Sequence, residues 1–65
     1  MKTDEQWMEL ALQQARYAGL RGEVPVGAVL VAGDRLLAVA GNSPIELSDP
    51  SAHAEILAIR RAAEL

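Results

Sequence analysis

His53 is the only histidine in the sequence, and Glu55 follows it by two positions in the run Asp49-Pro50-Ser51-Ala52-His53-Ala54-Glu55. A neutral imidazole is a metal ligand, and a carboxylate beside a metal-bound water is a proton acceptor. Residues at i and i+2 ordinarily point to different sides of a helix and do not share a site. The first turn of a helix is the exception, because side chains there lean back toward the start and can converge just beyond its end. His53 can then hold a metal while Glu55 reaches the metal's water without being a ligand itself. Zinc held by one imidazole and two thiolates keeps a fourth position for water and lowers that water's pKa to about 7. The bare pair is nonetheless a weak signal. With six glutamates in the chain, one falls two places after a lone histidine by chance about one time in ten. Read blandly, Glu55 is a solvated helix residue pairing with Arg60 or with nothing at all.

Those two residues need a helix that starts beside them, and the sequence predicts one. Asp49 suits an N-cap with Pro50 in the first helical position, where its missing N–H does no harm, and Ser51 competes as the cap. Ala52, Ile56, Ile59 and Ala63 then lie along one side, Leu57 widens the apolar face, and Arg60 and Arg61 suit the negative C-terminal end. An earlier helix is predicted from Thr3. Gln6 stands three residues after it in a capping-box pattern, and Asp4 and Glu5 sit at the positive end of the dipole. Met8, Ala11, Leu12, Ala15 and Ala18 form its apolar stripe, flanked by Trp7 and Tyr17, and Gly19 or Gly22 ends it in a left-handed cap. From Val26 to Ala32 the chain is apolar on both alternating faces, which suits a strand covered on both sides. Gly33-Asp34 is a two-residue hairpin turn, Leu36–Ala40 the returning strand, and Gly41–Pro50 a loop.

Composition narrows the class. Apolar residues make up 51% of the 65 positions, too many for a disordered tail, but Phe is absent and the core must come from Val, Leu, Ile and Ala. There is no cysteine, so neither a disulfide nor a complete metal cage can be built from these residues. The net charge of −3 argues against a broad nucleic-acid footprint on this segment. The N-terminus has no apolar signal region, and Val26–Ala32 is too short to span a bilayer, so a cytoplasmic protein is expected. A strand apolar on both faces, an unpaired sheet edge and the apolar Leu65 in a running helical pattern make the chain read as part of a larger domain.

Glu23-Val24-Pro25-Val26-Gly27-Ala28-Val29, Gly41-Asn42 and Asp49 to Ile56 together resemble the bacterial tRNA adenosine deaminases of the cytidine deaminase-like superfamily. The resemblance runs from the first helix to Ala63. It implies an α/β fold, a three-layer α/β/α sandwich of which helix, strand, strand and helix are present, with residues 1–65 as the N-terminal part of one zinc-dependent deaminase domain. It further implies His53 as the histidine ligand of Zn2+, Glu55 as the catalytic proton shuttle, and Asn42 as a hydrogen-bond partner of the flipped nucleoside. Val26, with Pro25, falls where the family lines the base pocket. The implied reaction converts adenosine to inosine at the wobble position of a tRNA anticodon stem-loop, in a homodimer. Asn42 as a turn residue and Val26 as strand core are the plainer readings of those positions. No P-C-x-x-C follows within the chain, so two of three protein ligands are missing and activity of these residues alone is not expected. A free-base or nucleoside deaminase of the same fold, acting on guanine or cytosine, and a non-catalytic fragment or binding module are the alternatives.

Overall fold

The computed structural model describes residues 2–65. The element order is α1 (Asp4–Leu20), β1 (Gly27–Ala32), β2 (Arg35–Gly41) and α2 (Ala54–Ala63). β1 and β2 form an antiparallel hairpin, and each helix packs on both strands without touching the other helix. The strands are therefore covered on both faces, as the apolar run from Val26 requires.

The start of α1 is built from its own residues. Thr3 Oγ1 accepts from the Gln6 N–H at 3.2 Å, and Gln6 Oε1 accepts from the Thr3 N–H at 2.8 Å. That reciprocal pair satisfies two backbone donors that a helix leaves orphaned. At the other end Gly22, at φ +85°, is the left-handed residue, while Gly19 stays inside the helix. The Glu23 N–H donates to Ala18 O and the Gly22 N–H to Gly19 O, the two bonds of a Schellman turn.

The buried side of α1 is narrower than the predicted stripe. Trp7, Ala11 and Ala18 are buried, whereas Met8 and Leu12 are exposed. The cause lies across the interface. Gly27 and Gly41 pair in register, and a Cβ on Gly27 would run into the backbone of α1 at Ala11 and Ala15. A Cβ on Gly41 would sit 2.9 Å from Gln14 O. The helix backbone thus rests directly on a glycine pair, and only small side chains fit between.

On the opposite face Ala38, Ala40, Ala52, Leu57 and Ala58 form the core, joined by the half-buried Ala28, Leu30 and Ala62. The register Ala28↔Ala40 and Leu30↔Ala38 places these strand residues side by side on that face. It slips by one residue after Leu30, leaving Leu37 as a bulge on the returning strand just past the turn. Gly33, at φ +59°, takes the first place of the two-residue loop between Ala32 and Arg35, where a type II′ turn needs glycine.

The second helix departs from expectation. It begins at Ala54, not at Asp49 or Ser51, and Ala52 lies buried ahead of it. Asp49 does act as a cap, but of a turn. Its Oδ1 accepts from the Ser51 N–H at 2.9 Å and from the Ser51 hydroxyl at 2.7 Å, which closes the chain locally before a helix can start. The buried face is Ala54, Leu57 and Ala58, so Ile59 and Ala63 point away and Ile56 is only half buried. Arg61 reaches back to the sheet and donates to Val39 O at 2.8 Å. No helix among the described residues is long and apolar enough to cross a membrane.

Candidate functional site

The site forms where the end of β2 meets the start of α2. His53 is the N-cap of α2, with extended backbone at φ −77° and ψ 151°, and its side chain makes no capping hydrogen bond. Glu55 follows as the second residue of the helix. Both are exposed, at the helix end where the backbone N–H groups and the positive end of the dipole emerge.

A helix start without its own cap leaves N–H groups unpaired, and here a distant residue supplies the acceptor. Asn42, 5% exposed just past β2, accepts the Ala54 N–H on its Oδ1 at 2.8 Å. Its backbone N–H donates to Val26 O at 2.9 Å. The carboxamide oxygen is therefore committed to the helix, and the amide nitrogen carries the side chain's remaining donors. Asn42 is thus more than a turn residue. It ties together the entry to β1, the exit from β2 and the start of α2, so Val26 and Asn42 share one chain of hydrogen bonds that ends at Ala54, between His53 and Glu55. Val26 lies at the strand entry, one residue before β1, and is 40% exposed.

Glu55 does not pair with Arg60, whose guanidinium is 3.8 Å from Asp49. The two hydrogen bonds from Ser51, its hydroxyl first, hold the Asp49 carboxyl below the ordinary value of 3.8, with smaller help from the Arg60 and His53 charges.

His53 fits a metal as one nitrogen ligand, exposed and uncommitted to capping. Among the described residues no three His, Cys, Asp or Glu side chains gather to hold an ion.

Sequence reasoning missed the residues that brace the site. Glu23 is only 6% exposed, and its two oxygens accept from the Ile45 N–H at 3.1 Å and the Glu46 N–H at 2.8 Å. Arg21 pairs with Glu46 at 2.8 Å and donates at 3.3 Å to Asn42 O and to Ser43 Oγ. The buried Ser43 donates its hydroxyl to Gly41 O and its N–H to Ala52 O, both at 2.9 Å. A charge placed immediately before an apolar strand was the available hint, but its partners lie more than twenty positions away.

Known proteins resemble this chain over most of its length. The family described as the cytidine and deoxycytidylate deaminase zinc-binding region matches residues 1–65. A tRNA-specific adenosine deaminase of Agrobacterium fabrum is 59% identical over 58 residues, covering 89% of this chain and 38% of that protein. One of Buchnera aphidicola subsp. Schizaphis graminum is 48% identical over 59 residues, covering 91% and 39%. A solved structure from work on A-to-I editing by tRNA:A34 deaminases at the wobble position superposes with a TM-score of 0.90 at 57% identity. It covers 92% of this chain, which covers 44% of it. The chain spans less than half the length of each of these relatives.

Proposed function

The chain belongs to the cytidine and deoxycytidylate deaminase zinc-binding family, and from that premise we propose that its full-length gene product is a tRNA adenosine deaminase. The substrate is the wobble adenosine of an anticodon stem-loop and the product inosine. One observation carries the reading: the helix end bearing His53 and Glu55 takes its cap from Asn42, so neither chemical side chain is spent on holding the helix. The names of the relatives support the substrate.

The roles follow the general chemistry of zinc nucleobase deaminases. His53 would be one ligand of the zinc, and the described residues offer no complete set of ligands around it. Bound zinc supplies a water acidic enough to act as nucleophile near pH 7. The Glu55 carboxylate, exposed at the helix end, would take one proton from the water that attacks the purine C6. It would pass that proton to the ring nitrogen, and would then carry the second proton, from the added hydroxyl, to the amine, which leaves as ammonia as the C6 carbonyl forms. Asn42 donates from its amide nitrogen to the extruded nucleoside, and Val26 lines the base pocket. Residues 1–65 form the N-terminal part of a single domain. A homodimer acting in the cytoplasm completes the reading.

The experiment compares inosine formation in an anticodon stem-loop with ammonia release from free adenosine, cytosine and guanine. The stem-loop is expected to react far faster, because an unpaired loop base is cheap to extrude and remote RNA contacts stabilise the transition state. Glu55→Ala is expected to abolish turnover and leave zinc bound. A higher kcat/KM on guanine or cytosine would overturn the tRNA assignment, and loss of zinc from Glu55→Ala would overturn the shuttle role.

A further inference from the structure

We propose that Glu23 is the positioning residue of this site, acting through the turn that follows Asn42. The inference rests on the deaminase reading above for its effect on turnover but not for its geometry. The Schellman turn at the end of α1, set by Gly22 at φ +85°, aims Glu23 away from its own helix and toward residues 43–48. There its carboxylate spans two successive backbone donors, Ile45 and Glu46, one on each oxygen. At 6% exposure a carboxylate needs such partners, and charge-assisted bonds to backbone N–H groups are among the stronger ones available.

What the turn carries gives the contact its consequence. Ser43 and Asn42 lead directly into it, and each is bonded to the chain around the helix start, Ser43 N–H to Ala52 O and Asn42 Oδ1 from the Ala54 N–H. Within the turn, Ser48 sits at φ +50°, a backbone conformation unfavourable for a residue with a side chain. Such a segment holds its shape only when outside contacts over-determine it. Glu23 is the buried one of those contacts. The Arg21–Glu46 pair beside it is partly exposed, so it holds the turn less firmly. Glu23 therefore sets where the Asn42 carboxamide stands, and through it the helix end that presents His53 and Glu55.

The test uses the zinc-loaded full-length gene product with Glu23→Ala, Asn42→Ala and the double variant, and Glu23→Gln, which keeps one acceptor oxygen, as the milder change. Amide hydrogen exchange at Ala54, twelve positions past Asn42, is the first readout. Glu23→Ala is expected to speed it about tenfold, the size of one lost hydrogen bond, with Leu57 unchanged and Glu23→Gln intermediate. Zinc content is expected to stay the same, while kcat/KM on the stem-loop falls about 30-fold. The double variant is expected to be no more than about threefold worse than Asn42→Ala alone, because the two residues act in series. Faster exchange at Ile45 and Glu46 with Ala54 unmoved would overturn the proposal, as would multiplicative loss in the double variant. If Glu23→Ala does not fold, Glu23→Gln decides by the same criteria. The exchange readout needs no substrate, so an unaltered protein inactive on the stem-loop defeats the substrate reading only.

Discussion

The two helices begin in opposite ways. α1 caps itself, with Thr3 and Gln6 exchanging hydrogen bonds within one turn. α2 begins at Ala54, gets no side-chain cap from His53 before it, and borrows Asn42 from the end of β2. The difference teaches how the residue at a helix end can be freed from capping it. A serine or threonine at position 53 would spend its oxygen on the backbone, whereas a histidine there leaves the imidazole for chemistry and passes the cap to another element. The start of α1 can therefore be stable on local terms, and the start of α2 depends on the tertiary fold.

The sharpest way to break this contrast is to give α2 a local cap. His53→Ser in the full-length gene product is expected to lower activity by about three orders of magnitude or more, the several kcal/mol that a bound metal contributes. The same variant is expected to match or exceed the unaltered zinc-free protein by about 0.5–1 kcal/mol in thermal unfolding, since serine is a preferred N-cap. A stability loss would show that His53 holds the helix after all.

Removing the borrowed cap comes next. Asn42→Ala leaves the Ala54 N–H unpaired in a buried setting and is expected to cost about 1–3 kcal/mol, read from denaturant midpoints. Thr3→Ala removes the local cap at an exposed helix end, and about 0.5–1 kcal/mol is expected. Equal costs for the two would mean that the remote cap is no more embedded than the local one.

The smallest effect is expected from acid. Because hydrogen bonds from Ser51 lower the Asp49 carboxyl in the folded chain, its contribution is present above the ordinary value of 3.8 and is lost as pH falls through the folded value. Asp49→Asn is expected to flatten that part of the stability profile below pH 3.8. An unchanged acid limb, measured by circular dichroism against pH, would place the turn's stability elsewhere.

Local rules in the sequence determined α1, the hairpin and its glycine turn, because capping boxes, two-residue turns and alternating apolar runs act over a few residues. Spacing also marked His53 and Glu55 as a candidate pair, while the family resemblance gave that pair its weight and alone supplied Asn42 and Val26. Tertiary structure decided the rest. Asp49 looked like a helix cap and became a turn cap, since Ser51 lay closer to its carboxylate than any helix end. Met8, Leu12 and Ile59 looked buried and are exposed. A glycine pair draws the backbone of α1 onto the sheet, and α2 starts later and turns a different face inward. The tie from Asn42 to Ala54 and the bonds from Glu23 to Ile45 and Glu46 cross 12 to 23 positions. No periodicity reports such distances, because they exist only once the hairpin has brought the end of α1 and the start of α2 together at one end of the sheet.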